Sequence, residues 1–60
     1  MTDSQYNDYA ERVKEIISAG TKEGLISYYR YIIAQTGDWE SVRRIDRYNN
    51  DRWNIDFDSL

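Results

Sequence analysis

The sequence predicts a small all-α domain of three helices followed by an extended C-terminal tail, on three observations. Apolar residues recur at helical spacing in two long segments, capping residues stand where those segments begin, and glycines stand where they end. Sixty residues hold one domain, and a fold of that size hides only about 60% of the surface its unfolded chain exposes.

Ser4 can cap a first helix over 5–19, with Asp8 adding negative charge near its start. Tyr6, Tyr9, Ala10, Val13, Ile16 and Ile17 fall within an arc of about 120°, and the opposite side is polar. Gly20 stands where a left-handed terminating residue is wanted. Thr21 offers the next cap, for a helix over 22–35. Here propensity and period conflict. The run from Leu25 to Ile33 is rich in β-branched and aromatic types, as strands are. On a helical wheel, however, Leu25, Ile26, Tyr28, Tyr29, Ile32 and Ile33 share one arc of about 160°, whereas a strand would mix Ile26 with Arg30 on one face. Period decides for a helix.

Gly37 can take positive φ and Asp38 can cap a third helix over 39–48, along which Trp39, Val42, Ile45 and Tyr48 follow at steps of three. Asn49, Asn50 and Asp51 break the pattern. Beyond them Trp53, Ile55 and Phe57 alternate with polar residues, which predicts an extended tail over 52–58. A rival α+β arrangement keeps the N-terminal helix or helices and pairs 42–48 with 52–57 as a β-hairpin. Its first strand would carry Arg44 and Asp46 on one face and Arg43 and Arg47 on the other, so neither face is apolar enough to bury.

The chain has no cysteine, histidine or proline, which removes disulfides, thiolate nucleophiles and the commonest acid–base group. A carboxylate works as an acid at neutral pH only when burial or a like charge raises its pKa, and this fold has little interior for that. No enzymatic activity, cofactor or metal site is expected. Asn54, Asp56 and Asp58 resemble the start of a calcium loop but lack its glycine and its bidentate glutamate. They read as the solvated side of a tail whose Trp53, Ile55 and Phe57 pack inward. The first residues lack the basic start and apolar stretch of a secretory signal, and the longest apolar run is 31–34. No membrane contact is expected, and the cytoplasm is the default compartment.

Positive charge is concentrated on the third helix, where Arg43, Arg44 and Arg47 spread over about 100°, with Arg52 just beyond. Glu40 can pair with Arg43 or Arg44, and Asp51 with Arg47, which would turn the stripe into a neutral solvated face. Tyr28, Tyr29, Tyr31, Tyr48, Trp39 and Trp53 together exceed what so small a core can hide. Tyr6, Tyr9 and Tyr29 read as core rings with hydroxyls at the edge, whereas Tyr31, Tyr48 and Trp53 are candidates for contact. Tyrosine, tryptophan and arginine are the types enriched at the energetic centres of protein interfaces.

The expectation is therefore a non-enzymatic protein-binding module that regulates or inhibits a larger protein by occupying its surface. Arg43, Arg44 and Arg47 would make the charged contacts, and Tyr31, Tyr48 and Trp53 would bury area. Compact accessory proteins of this kind are frequent where coding space is limited, as in phages and plasmids. Other uses of the same residues stand beside it. The arginine-bearing helix is placed like the later helix of a helix-turn-helix reader, but the net charge of −3 and a pI near 4.7 disfavour nucleic acid. Asp3, Asp8, Glu11, Glu15, Asp56 and Asp58 could instead mimic nucleic acid, and a self-associating structural element, a homodimer, is the remaining alternative.

Overall fold

Thr2, not Ser4, starts the first helix of the computed structural model, which describes residues 1–60. Thr2 Oγ1 accepts from the Gln5 amide at 3.1 Å, and Gln5 Oε1 accepts from the Thr2 amide at 2.9 Å. This reciprocal box satisfies two otherwise unpaired donors, which a cap at Ser4 would not, since Asn7 is too short a partner to reach back. Helix α1 accordingly spans Asp3–Ala19. Gly20 ends it in extended backbone (φ −100°), not in the left-handed region. The glycine supplies space instead: a Cβ there would lie 2.9 Å from the Ile16 carbonyl oxygen, which accepts the Gly20 amide.

Helix α2 spans Lys22–Thr36, capped by Thr21, whose hydroxyl accepts from the Gly24 amide at 3.1 Å. Gly37 closes it with φ of 67°, a conformation that a Cβ would strain. Asp38 then caps α3, Trp39–Asn49. Its carboxylate accepts the Ser41 amide at 3.1 Å, the Ser41 hydroxyl at 2.7 Å and the chain's amino group at 3.2 Å. The Ser41 bonds, and then the amino group, hold the Asp38 carboxyl below its usual range. One side chain thus starts α3 and ties it to the beginning of α1.

The three helices and the tail enclose one core. Val13, Leu25, Tyr29, Ile32, Val42 and Ile45 are fully removed from water, with Ala10, Ile17 and Ile55 around them. Each fully buried aliphatic chain contributes about 1.5–3 kcal/mol. In α2 the buried residues are Leu25, Tyr29 and Ile32, while Ile26, Tyr28 and Ile33 flank them half-buried, so the period and not the propensity describes this segment. In α3 a step of three residues turns the side chain by about −60°. Val42 and Ile45 can both face inward, and the ends of the stripe, Trp39 and Tyr48, are carried out to 41% and 73% exposure.

No strand forms, and 42–48 is helical. The tail bends at Arg52, has no regular structure from there to Asp56, where the backbone is extended, and ends in a 3₁₀ turn, Phe57–Ser59. That departure from a fully extended 52–58 has a local cause. Asp56 accepts from the Asp58 amide at 3.1 Å and from the Ser59 hydroxyl at 2.8 Å, which curls the chain. The same bonds take up the Asp56 carboxylate, and no three acidic side chains of the molecule converge on one point. Ile55 reaches the core, and Trp53 and Phe57 pack half-buried against it. No helix is long and apolar enough to cross a membrane.

The path of the tail is set by Asn50. Its side-chain amide donates to Asp46 Oδ1 and to the Trp53 carbonyl, both at 2.8 Å, and its oxygen accepts from the Arg52 and Trp53 amides, both at 3.1 Å. All four of its hydrogen-bonding positions are filled. Asn50→Ala should lower stability by about 1–3 kcal/mol, the cost of several part-buried partners left unpaired. Amide exchange should then accelerate from residue 53 onward while α1 and α2 stay protected; uniform acceleration through the chain would show that the tail is not a separable unit.

Candidate functional site

With Val42 and Ile45 turned inward, α3 presents the opposite side of its cylinder to solvent, and Arg43, Arg44 and Arg47 lie on it. These three and Tyr48 line one shallow concavity with Glu40, Asp46 and Phe57. Phe57 links this surface to the core. Its ring stacks on Tyr29, with centroids 5.6 Å apart and planes at 27°, and the Arg43 guanidinium lies 5.8 Å from its centroid. Asp46 is held from inside the fold, since Oδ1 accepts from the Tyr29 hydroxyl at 2.7 Å and from Asn50. Burial first, and then Asp46, raise the Tyr29 pKa well above the ordinary tyrosine range, so the phenol stays a neutral donor.

The expected pairing of Glu40 with Arg43 or Arg44, and of Asp51 with Arg47, does not occur. The ion pairs lie elsewhere, between the Met1 amine and Asp38, Arg12 and Glu15, and Lys14 and Glu11. Asp51 follows the residue that ends α3, so it has left the helical spacing that would bring it over Arg47. For Glu40, an exposed pair gains at most about 1 kcal/mol against the entropy of two long side chains, and Arg43 is drawn to Phe57. None of the three guanidinium groups makes an ion pair within the molecule.

Arg52 is not part of this group. Its Nη1 donates to the Ile17 carbonyl at 2.6 Å, and its guanidinium sits 4.4 Å from the centre of the Trp53 ring. It satisfies an unpaired carbonyl in the last turn of α1, where a cation also complements the helix dipole. Trp53 is correspondingly half-buried between Arg52 and the core, away from the α3 concavity. Tyr31, 53% exposed, lines a different concavity between α1 and α2, where it stacks on Tyr28 at 6.0 Å. Four of the six residues singled out from the sequence therefore converge, and Tyr31 and Trp53 stand apart from them. Phe57 and Asp46 belong to the site without having been singled out. Phe57 had a signal, since the alternation of the tail pointed it inward; the Asp46–Tyr29 bond, 17 residues apart, had none.

Chemically, the face offers planar guanidinium donors suited to carboxylate or phosphate oxygens, beside one exposed phenol. Of the molecule's three hydroxyl–carboxylate pairs, Ser41–Asp38, Ser59–Asp56 and Tyr29–Asp46, the first has a carboxylate that its bonds make less basic than usual. No protein-family model matches the chain, and no curated protein or solved structure matches it significantly.

Proposed function

We propose that this protein is a non-enzymatic binding module that docks onto a larger protein through the outward side of α3 and regulates or inhibits it by covering that surface. The observation that carries this reading is the group Arg43, Arg44 and Arg47, which has no carboxylate partner within ion-pair distance and lies beside Tyr48 at 73% exposure. Arg52 has a structural role through its helix-end bond, whereas Arg43 has only its contact with Phe57 and Arg47 only its place in the last turn of α3, each worth about 1 kcal/mol or less. Arginine and tyrosine together provide directed hydrogen bonds and a large area with few rotatable bonds. Phe57 adds an apolar floor that is already held by Tyr29, so little ordering is needed on binding.

The fit is to an acidic protein surface. A nucleic-acid duplex is the poorer partner, because Glu40 and Asp46 line the same concavity and the chain carries a net −3. A photoreactive benzoylphenylalanine placed at position 44 tests the reading in a lysate of the source cell, with position 23 at the start of α2 as comparison. Position 44 should cross-link one protein that position 23 does not. Equal cross-linking from both positions, or products that nuclease removes, would refute it.

A further inference from the structure

The second concave surface lies between α1 and α2 and carries the opposite charge. Two adjoining hollows share Arg12, Glu15, Tyr28 and Tyr31 and form one groove. On α2 its wall is Gly24, Ser27, Tyr28 and Tyr31, spaced i, i+3, i+4 and i+7, so one strip of that helix faces it. From residue 24 to 31 the strip is about 10 Å long, two turns of helix. At one end the walls are mostly small residues, Ala19, Gly20, Gly24 and Ser27, with Ile16 and Thr21 beside them. Gly24 lies in the first turn of α2 without a positive φ; a Cβ there would press on Thr21 Oγ1, the cap oxygen, at 3.3 Å, and would otherwise stand in open space. Its effect is a low floor on which another backbone can come close. At the other end Tyr28 and Tyr31 stack with planes 19° apart, and Tyr9 meets Tyr28 edge-on at 6.4 Å. Three carboxylates, Asp8, Glu11 and Glu15, rim this end against one guanidinium, that of Arg12. Arg12 is drawn to Glu15 and Lys14 to Glu11, while Asp8 has no cationic partner.

We propose that this groove receives an amphipathic helix of a partner protein, with small or aliphatic residues over Gly24 and a lysine or arginine over the Tyr28–Tyr31 stack. A groove between two packed helices is where a helical bundle adds its next member. Phenol ring faces and carboxylates both attract a cation, and the charge is opposite in sign to that of the α3 face, so the two surfaces select different partners. This inference does not depend on the reading of α3.

The test is a selection from displayed helical 14-residue peptides, randomised at i, i+3, i+4 and i+7 and at the flanking positions, with the full-length protein as bait. Enriched peptides should carry lysine or arginine next to an apolar stripe. Their affinity should fall at least about tenfold for Gly24→Leu, which fills the floor, and separately for an Asp8→Lys/Glu15→Lys bait. Arg43→Ala/Arg47→Ala should leave it unchanged. Far-ultraviolet circular dichroism checks that each bait is folded, and the charge-reversed bait serves if Gly24→Leu is not. The proposal is overturned by enrichment no greater than on the altered baits, by an acidic consensus, or by binding lost only with the α3 variant. A self-associated wild type dispersed by Gly24→Leu would also overturn it, because the occupant would then be a second copy.

Discussion

Tyr29→Ala removes roughly a third to all of the domain's stability at 25 °C. Tyr29 is fully buried at the meeting point of α2, α3 and the tail, and it makes three connections at once. Its ring fills the core, its face supports Phe57, and its hydroxyl is one of two donors to Asp46. Truncating a buried aromatic costs about 3–5 kcal/mol, and a chain of this length holds only roughly 3–9 kcal/mol in total. Tyr29→Phe isolates the hydroxyl and should cost about 1–3 kcal/mol, because Asp46 keeps its Asn50 bond but loses the shorter one. Urea unfolding followed by circular dichroism reads both.

The same pair fixes an alkaline limb. Tyr29 titrates higher folded than unfolded, where its value is 10.0. Its contribution is therefore fully present below pH 10.0 and is lost as the pH rises above that value, where the unfolded chain ionises and the folded one does not. The alkaline decline should be shallower in Tyr29→Phe. Equal decline in both proteins would place the loss elsewhere, with Tyr28 the next group to examine, since burial raises it too.

Arg43→Ala/Arg47→Ala should abolish partner capture without disturbing the fold. Neither side chain makes an ion pair or a hydrogen bond within the molecule, so the change in stability should stay within about 1 kcal/mol, most of it from Arg43 leaving the Phe57 ring. Truncating one side of a desolvated charge pair at an interface costs about 2 kcal/mol or more. Two such losses weaken binding by at least about a hundredfold even if they overlap. Lys at both positions separates charge from geometry: partial rescue identifies simple attraction, and none identifies forked recognition of carboxylates.

The helices were legible because their signals are local. The stripe from Tyr6 to Ile17, the glycine and aspartate at 37 and 38, and the shared arc of Leu25, Tyr29 and Ile32 all lie within a few turns of chain, and the core is built from them. The true start of α1 was also written locally, as threonine followed three residues later by glutamine, but Ser4 is an equally good cap by type and drew the boundary inward. Other features rest on partners far along the chain. Arg52 reaches a carbonyl 35 residues away, and its loss from the basic group follows from that single bond. Residue type groups Tyr31 with Tyr48, yet the wheel of one helix does not say which neighbour lies across from it, and the packing of α2 on α1 sends Tyr31 to the acidic groove. Asn50 signalled a break in the helix, while the four bonds that make it an anchor depended on where the tail returned.

The central claim, that the arginines of α3 exist for contact with another protein, is tested most directly by quantitative affinity capture from a lysate of the source cell. Wild type and Arg43→Ala/Arg47→Ala are used side by side at matched folded concentration. The account predicts one protein retained by the wild type, depleted at least about a hundredfold on the variant and released by salt. Identical recovery on both baits would contradict it, and the α3 arginines would then be no more than a solvated face.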